Sequence, residues 1–410
     1  MKAVQQFISV FFVLFSISLL LAVENSYSAD GLSKIKTGAD QPEQYLPYLK
    51  DKRVGVLVNQ TSRTHGQHLV DFLIAKGINV ALIFAPEHGF RGEHGAGEYI
   101  KNNRDSNTGV EIISLHGKIK KPLQKHMEQL DVLVFDIQDV GVRFYTYISS
   151  MHYFMESCAE EKIPMLVLDR PNPNGDYIAG SVLDLKFQSF VGMHPIPVVH
   201  GLTVAELALM INGEGWLKRK ESCELRVVKN LNYNHGIHYS LPVKPSPNLP
   251  NDRSIRLYPS LGFFEATPVS VGRGSHLPFQ VLGYPNKHMG DFQFTPEKIR
   301  GSWKDLNHTN ELLFGEDLSL PKNDQASLSK MNLSLLVDWN KKFKKNGLAL
   351  ISRPEFLAKL SGSDKLTEWL EKGLEANQIE SNWHKELLEY KKLRSKYLIY
   401  ADSDYMKAFK

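Results

Sequence analysis

The fold is decided by the stretch VLVFDIQDVGVRFYTY, residues 132–147 of the 410-residue chain. It begins with an unbroken apolar run, VLVF, and continues directly into polar side chains, of which Asp136 is the first. An unbroken apolar run, unlike an alternating one, is typical of a strand that is buried on both faces. The stretch therefore predicts a central strand of a covered parallel sheet, with polar residues at its carboxyl end.

Comparable apolar runs occur along the whole first half of the chain. They lie at residues 54–58, 80–84, 110–115, 165–168 and 225–228. Helical patterns separate them, at residues 68–76, 122–130, 147–161 and 204–212. Alternation of this kind predicts an α/β fold in which a mostly parallel sheet has helices on both faces.

The second half of the sequence has a different character. Residues 242–250 contain four prolines, through which no helix can run, and residues 257–284 are rich in glycine and aromatic side chains. Helical patterns follow at residues 354–360, 365–373 and 382–398. We therefore predict a smaller α+β domain over residues 231–410, which closes a cleft against a catalytic domain over residues 29–230.

Composition excludes several classes of protein. The formal net charge is only +4, and no block of Lys and Arg is present, so nucleic acid is not an expected partner. The two cysteines, Cys158 and Cys223, are too few for a disulfide scaffold or a Cys-based zinc site, although one disulfide is possible. Neither a Gly-x-Gly-x-x-Gly fingerprint nor a Gly-Lys-Ser/Thr phosphate loop follows the first strand, so we predict no cofactor.

The N-terminus has the layout of a secretory signal peptide. Lys2 precedes an apolar run over residues 7–22, and Ser26-Tyr27-Ser28 supplies small residues for cleavage. The run is shorter than the roughly 20 residues that span a bilayer, which disfavours the alternative of a retained anchor helix. We predict that residues 1–28 are removed and that the protein is exported, periplasmic or secreted, without stable membrane association.

Polar side chains follow five of the predicted strands. The main groups are Asn59-Gln60-Thr61, Glu87-His88, His116-Gly117, residues 136–147, and Asp169-Arg170 with Asn172. In an open parallel sheet the carboxyl ends of all strands lie along one edge, where ligands bind. Five such ends predict one crevice that is lined by carboxylate, amide, imidazole and guanidinium groups.

Glu87 is the leading candidate for catalysis. It lies two residues after a buried strand, between Pro86 and His88, where a carboxyl partly removed from water could donate a proton. Cleavage of an acetal requires a second carboxyl group. Asp136 is our choice for this partner, whereas Asp139 could instead cap a turn and Asp169 could form an orienting ion pair.

Other residue types in the predicted crevice suit an anionic sugar. Arg143, Arg170 and Arg273 could bind a carboxylate in bidentate fashion, and Tyr145 and Tyr147 could stack on a sugar ring. Ordinary salt bridges and core packing are the alternatives.

Two other mechanisms receive less support. His88 and His94, like His194 and His200, have an x5 spacing that differs from the helical His-Glu-x-x-His pattern, so no metal is expected. No Gly-x-Ser-x-Gly elbow is present. An exported sugar-binding protein without catalysis and a metal-dependent hydrolase remain as alternatives to a glycosidase.

Several motifs resemble one family. They are APEHGFRG at residues 85–92, FDIQDVGVRFYTY at 135–147, LDRPNP at 168–173, PSPN at 245–248, VGRG at 271–274 and KYLIY at 396–400. In these motifs the chain resembles the exo-acting β-N-acetylmuramidases, peptidoglycan hydrolases formerly described as a domain of unknown function. The resemblance covers nearly the whole mature chain.

The resemblance implies a Rossmann-like N-terminal domain, a smaller C-terminal domain, and an active site in the cleft between them. It implies removal of terminal N-acetylmuramic acid from the non-reducing end of peptidoglycan fragments, with Glu87 as the catalytic glutamate. The lactyl carboxylate of muramic acid would explain the arginines. The candidate substrate-binding residues, which belong to the matching motifs or to positions implied by them, are His88, Gln138, Arg143, Tyr145, Tyr147, Asp169, Arg170, Asn172, His200, Asn248 and Arg273.

The chain departs from the family pattern at two places. Family members often have Asp-Ala-Gly where this chain has residues 94–97, and often Glu where Val271 stands. If either acidic position supplies the second carboxylate elsewhere, this protein must use Asp136 or the acetamido oxygen of the substrate.

Overall fold

The computed structural model describes residues 34–91, 103–218, 221–297, 307–320 and 330–410. The predicted signal peptide lies outside these ranges, as do His94 and the departure from the family pattern at residues 94–97. Within the described residues, no helix combines the length and the apolar content that crossing a bilayer requires.

A seven-stranded sheet forms the centre of the molecule. Its strands are β1 (Arg53–Val58), β4 (Asn79–Ala85), β5 (Asn103–Arg104), β6 (Glu111–Ser114), β7 (Val132–Asp136), β8 (Met165–Leu168) and β9 (Leu225–Val228), while β2 (Arg63–Thr64) and β3 (Gln67–His68) form a separate hairpin. The strand order is β5-β6-β4-β1-β7-β8-β9, and every pair is parallel except β5 with β6. The predicted mostly parallel sheet is therefore confirmed, with an antiparallel edge strand that the sequence pattern did not indicate.

Both faces of the sheet are buried, as the unbroken apolar runs predicted. In β7 the side chains of Leu133 and Phe135 contribute to the larger hydrophobic core, while Val132 and Val134 contribute to the smaller one on the other face. All five residues of β7 are buried. Alternate side chains of a strand point to opposite faces, so a strand in the middle of a three-layer structure has no solvent-facing side.

Helices cover both faces of the sheet. The N-terminal half contains α1 (Pro42–Leu49), α2 (Leu69–Ala75), α3 (Gln124–Met127), α4 (Tyr147–Glu161) and α5 (Val204–Gly213), with short 3₁₀ helices at Gly38–Asp40 and Leu185–Phe187. The first two pack on the smaller core, and α4 and α5 pack on the larger one. Helix α5 begins with a capping box between Thr203 and Glu206, which fixes its start.

The C-terminal region is smaller and mixed, as predicted. Its helices are α6 (Asp252–Leu261), α7 (Ser334–Lys345), α8 (Pro354–Ser361), α9 (Lys365–Glu371), α10 (Ala376–Ser395) and α11 (Asp404–Ala408), with a 3₁₀ helix at Gly262–Ala266. Strands β10 (Val281–Tyr284), β11 (Phe292–Phe294) and β12 (Leu313–Asp317) form an antiparallel sheet in the order β10-β12-β11. Trp339 and Trp383 of this region belong to the same hydrophobic core as Phe135 of the central sheet. The two regions are therefore joined by continuous packing.

The two cysteines form a disulfide. Cys158 in α4 is bonded to Cys223, which lies two residues before β9, and their Cα atoms are 5.4 Å apart. The bond links a helix on one face of the sheet to the edge strand.

Candidate active site

Buried polar residues lie at the carboxyl ends of β1, β7 and β8, and together we call them the strand-end network. Its main members are Ser62, Asp136, Gln138, Asp169 and Arg170. The Arg170 guanidinium donates to both carboxylate oxygens of Asp136, at 2.6 and 2.9 Å, and the Ser62 hydroxyl donates to the main-chain oxygen of Asp136. Three of the five predicted strand ends thus meet, although they do so in a buried cluster and not in an open crevice.

The position of Asp136 differs from the prediction that it faces substrate. Its side chain is fully buried. Two guanidinium nitrogens of Arg170, which is itself buried, donate to its two carboxylate oxygens. A buried carboxylate held in this way neutralises a buried guanidinium and is not available to a ligand. Neither residue lines the three cavities of about 540, 530 and 140 Å³ that lie in the described part of the chain.

Asp169 is also turned into the protein. It accepts hydrogen bonds from the Ala205 main-chain amide at 3.0 Å, the Asn230 side chain at 3.1 Å and the Tyr400 hydroxyl at 2.6 Å. Burial raises the pKa of Asp169 to about 7, although these donors act in the opposite direction. Its observed contacts hold helix α5 and the C-terminal segment against the sheet.

The Arg143 guanidinium binds main-chain carbonyl groups of the protein, whereas we predicted that it contacts substrate. It is fully buried and donates to the main-chain oxygens of Ser181, Ile196 and Leu360. The three carbonyl acceptors come from both the N-terminal and the C-terminal region and hold this side chain in the core, where it cannot reach a ligand.

Gln138, Asn172 and His200 likewise bind the chain itself. The Gln138 amide donates to the main-chain oxygens of Asp139 and Pro171, and the Asn172 amide donates to that of Leu202. His200 accepts from the Leu202 amide at 3.2 Å through Nδ1, and its Nε2 lies 3.5 Å from Asp139. Because these three side chains are buried and do not line the cavity described next, the structure does not place them where we predicted contacts with substrate.

The remaining candidates lie around a cavity of about 140 Å³, which we call the Glu87 cavity. The predicted residues that line it are Glu87, His88, Tyr145, Tyr147, Asn248 and Arg273. They come from the loop after β4, the segment before and at the start of α4, the proline-rich segment and the region before β10. The cavity therefore lies where the N-terminal and C-terminal regions meet.

A tight turn positions Glu87 at the end of β4. The Gly89 amide donates to the main-chain oxygen of Pro86 at 3.0 Å, and His88 has a φ of 72°. Because the chain reverses within these four residues, Glu87 leaves the buried strand with its side chain partly exposed at the cavity. The Thr146 hydroxyl donates to Oε2 of Glu87 at 3.1 Å.

Lys120 is a charged neighbour of Glu87 that the sequence analysis did not select. Burial lowers the pKa of Lys120, and the negative charge of Glu87 opposes this shift. Its ammonium group also lies 3.4 Å from the centre of the Phe190 ring. Nothing in the local sequence distinguishes Lys120 from the lysines that adjoin it.

Aromatic rings form one wall of the Glu87 cavity. Tyr145 and Tyr147 meet edge to face with ring centres 4.9 Å apart, and Tyr258 contacts Tyr145 at 5.9 Å. Burial raises the pKa of Tyr258 well above its usual value, and the charges of Glu265 and Glu87 add to the effect while that of Arg273 opposes it. Tyr258 is thus within electrostatic reach of all three charged residues of the cavity.

Arg273 and Glu265 also line the Glu87 cavity. Nη2 of Arg273 lies 3.1 Å from Oε1 of Glu265, and the guanidinium lies over the Phe279 ring at 5.0 Å. Gly272 and Gly274, which flank the arginine, both have positive φ, and a Cβ on Gly272 would lie 2.4 Å from the Leu277 oxygen. The Gly-Arg-Gly motif therefore fixes the backbone from which Arg273 reaches the cavity.

Glu265 was missed from the sequence. It lies in the 3₁₀ helix Gly262–Ala266, within the otherwise uncharged stretch LGFFEATPVSV. An isolated acidic residue in an apolar aromatic segment is the one signal that could have marked it.

A larger cavity of about 540 Å³ adjoins the first, and we call it the neighbouring cavity. Glu265, Arg273 and Phe356 line both. Together the two cavities offer space on either side of one ion pair.

The arrangement suits acid catalysis on an anionic sugar. It places a partly exposed carboxyl group, a hydroxyl donor, stacked tyrosines and a guanidinium around one small cavity. Across the described ranges, no group of three or more His, Cys, Asp or Glu side chains could hold a metal ion.

Models of one family match most of the chain. The N-terminal model of the exo-β-N-acetylmuramidase NamZ matches residues 54–253, and the C-terminal model matches residues 256–400. A curated relative, the peptidoglycan β-N-acetylmuramidase NamZ of Bacillus subtilis, is 36% identical over 388 residues, which cover 90% of this chain and 92% of the relative.

Two crystal structures of DUF1343 family proteins from Bacteroides fragilis share the fold. One superimposes with a TM-score of 0.82 at 42% identity and covers 90% of this chain and 100% of its own. The other gives a TM-score of 0.76 at 31% identity, with coverage of 89% and 99%. From the two family models and the length of the curated match, we conclude that the chain belongs to the exo-β-N-acetylmuramidase NamZ family.

Proposed function

We propose that the protein is an exo-β-N-acetylmuramidase, a glycoside hydrolase that removes terminal, non-reducing, β-1,4-linked N-acetylmuramic acid from peptidoglycan fragments. Family membership supports the reaction class. The single observation that carries the proposal to this chain is that Glu87 and Arg273 open on the same cavity. A proton donor and a guanidinium are the two groups that an acidic terminal sugar requires.

Glu87 acts as the general acid in this proposal. It protonates the glycosidic oxygen as the bond to the anomeric carbon breaks. The Thr146 hydroxyl donates to Oε2 of Glu87 and so helps to hold the carboxyl group in place at the cavity. A fixed donor is effective because little motion is needed to reach the transition state.

Arg273 binds the lactyl carboxylate of muramic acid. It is the arginine that lines the Glu87 cavity in the part of the chain that the structure describes, and its side chain is only 17% exposed. A partly desolvated guanidinium binds a carboxylate more strongly than an exposed one does. Asn248, His88 and the pair Tyr145–Tyr147 supply polar and stacking contacts to the sugar ring.

Export from the cytoplasm is part of the proposal. The signal-peptide pattern at residues 1–28 supports it, and the disulfide between Cys158 and Cys223 is consistent with an oxidising compartment. The proposed substrate, peptidoglycan-derived oligosaccharide, lies in that compartment.

The decisive experiment compares two chromogenic substrates. Purified protein is assayed on an aryl β-N-acetylmuraminide and on the matching β-N-acetylglucosaminide, which lacks the lactyl group. We expect turnover of the first and little of the second, with and without a chelator. Equal turnover of both, or binding without turnover, would contradict the proposal.

A further inference from the structure

We propose that Glu265 is the second carboxylate of the reaction, the base that takes a proton from the attacking water. The inference rests on the proposed function and names a catalytic residue that neither the motifs nor the family resemblance assigned. It replaces Asp136 in that role.

Position is the first argument. Glu87 and Glu265 are the two carboxylates that line the Glu87 cavity in the described portion of the chain, and they come from opposite regions of the molecule. The buried Tyr258 lines the same cavity, and both charges raise its pKa. Hydrolysis of a glycoside uses such a pair on either side of the sugar.

Charge is the second argument. The Arg273 guanidinium contacts Glu265 at 3.1 Å. An ion pair of this kind holds the carboxylate in one position, and a base that is already positioned needs little motion to reach the attacking water.

Access to water is the third argument. Glu265 also lines the neighbouring cavity of about 540 Å³, and its side chain is 22% exposed. A water molecule can reach Glu265 from that side while a sugar fills the Glu87 cavity. The alternative carboxylates Asp136, Asp139 and Asp169 are each at most 4% exposed and do not line these cavities.

The step balances without a further reactant. Glu87 gives its proton to the glycosidic oxygen, which keeps the electron pair of the broken bond to C1. The water oxygen forms the new bond to C1, and its proton passes to Glu265. One water is consumed, the two sugars leave as alcohol and hemiacetal, and the proton returns from Glu265 to Glu87 through solvent.

Leaving-group dependence tests the assignment. We expect Glu265→Gln to lower kcat about 10²–10⁴-fold on both a muramic-acid disaccharide and an activated aryl muraminide, because water activation is needed for each. The matched control is Glu316→Gln, a glutamate of the same region that is also ion-paired and 27% exposed but lies in neither cavity. This control should keep wild-type kcat.

Azide separates a base from a residue that only orients Arg273. In Glu265→Ala, azide should restore turnover of the aryl muraminide and yield the α-glycosyl azide, because the small anion enters from the face that water uses. If Glu265 only positioned Arg273, the variant would show a raised KM, near-normal kcat and no glycosyl azide, and the inference would be overturned. Full activity of Glu265→Ala would overturn it as well. Wild-type turnover of the muraminide tests the proposed function separately, since it does not depend on which carboxylate is the base.

Discussion

The strand-end network and the Glu87 cavity contain the same kinds of residue but treat them in opposite ways. In the network, the Asp136 carboxylate is 0% exposed and is neutralised by Arg170. In the cavity, Glu87 and Arg273 are partly exposed and line one open space. The difference teaches that a carboxylate at a strand end of a parallel sheet can either support the site or act in it, and that burial distinguishes the two. Substitutions in the cavity should therefore change activity, and those in the network should change stability.

The largest effect is expected for Glu87→Gln. The amide cannot donate the proton, so kcat on a muramic-acid disaccharide should fall about 10²–10⁴-fold. An aryl muraminide should be affected much less, because its leaving group needs little protonation. Steady-state kinetics on both substrates, with thermal unfolding as the folding check, measure this. Glu128→Gln, on an exposed side chain, is the control. An equal loss on both substrates would remove Glu87 from the acid role.

Asp136→Asn should show the opposite behaviour. It leaves Arg170 buried without its counter-charge, which costs about 3–5 kcal/mol of unfolding free energy. The kcat of the folded protein should change only a few-fold. Urea unfolding measures the loss. Asp131→Asn is a matched control, because Asp131 also pairs with an arginine, Arg53, but at an exposed site where solvent screens the pair and little stability should be lost. A large loss of kcat in an Asp136→Asn protein of normal stability would show that Asp136 takes part in the reaction, contrary to this comparison.

Asp169→Asn should remove a dependence of stability on pH. The folded pKa of about 7 exceeds the unfolded value of about 3.9, so between these values the folded state holds a proton that the unfolded chain has lost. This contribution to stability is complete below about pH 4 and is lost as the pH rises to about 7, by up to about 4 kcal/mol. Urea unfolding at several pH values should show the decline in the wild type and a flatter profile in the variant. Identical profiles would show that Asp169 keeps the same protonation in both states.

Arg273→Lys should have the smallest effect of the four. Lysine keeps the charge but loses the two-pronged contact with a carboxylate, which is worth about 1.5–3 kcal/mol for bonds to charged groups. We expect kcat/KM on the muraminide to fall roughly 10- to 100-fold and the preference over the glucosaminide to shrink accordingly. Arg226→Lys, on an exposed side chain, is the control. An unchanged preference would show that another group recognises the lactyl carboxylate.

The sequence predicted the sheet well because its signals are local. The runs at residues 132–135, 165–168 and 225–228 coincide with β7, β8 and β9 within one residue, since unbroken apolar strands require burial wherever they lie. Strand β5 was not predicted, because its two residues, Asn103 and Arg104, are polar and exposed and form no apolar pattern. Helix α6 was not predicted, because Pro259 lies within it and several prolines precede it.

The site was predicted less completely because side-chain direction is not local. The sequence located Asp136, Arg143 and Glu87 at the correct edge of the sheet, but only contacts with distant segments show which of them face solvent. Arg143, for example, is buried by Leu360, more than two hundred residues away. Glu265 comes from the C-terminal region and belongs to no motif, so its place at the same cavity as Glu87 becomes visible only when the two regions pack.

The hydrogen bond from Tyr400 to Asp169 bears on how the chain is synthesised. The two residues are 231 positions apart, and Tyr400 also accepts from the Asn230 amide at 2.6 Å. Ribosomes deliver the chain from its N-terminus, so a nascent protein that lacks residue 400 has the whole parallel sheet but not the last partner of its buried aspartate. The hydrogen bonds of Asp169 are therefore completed only when translation is nearly finished.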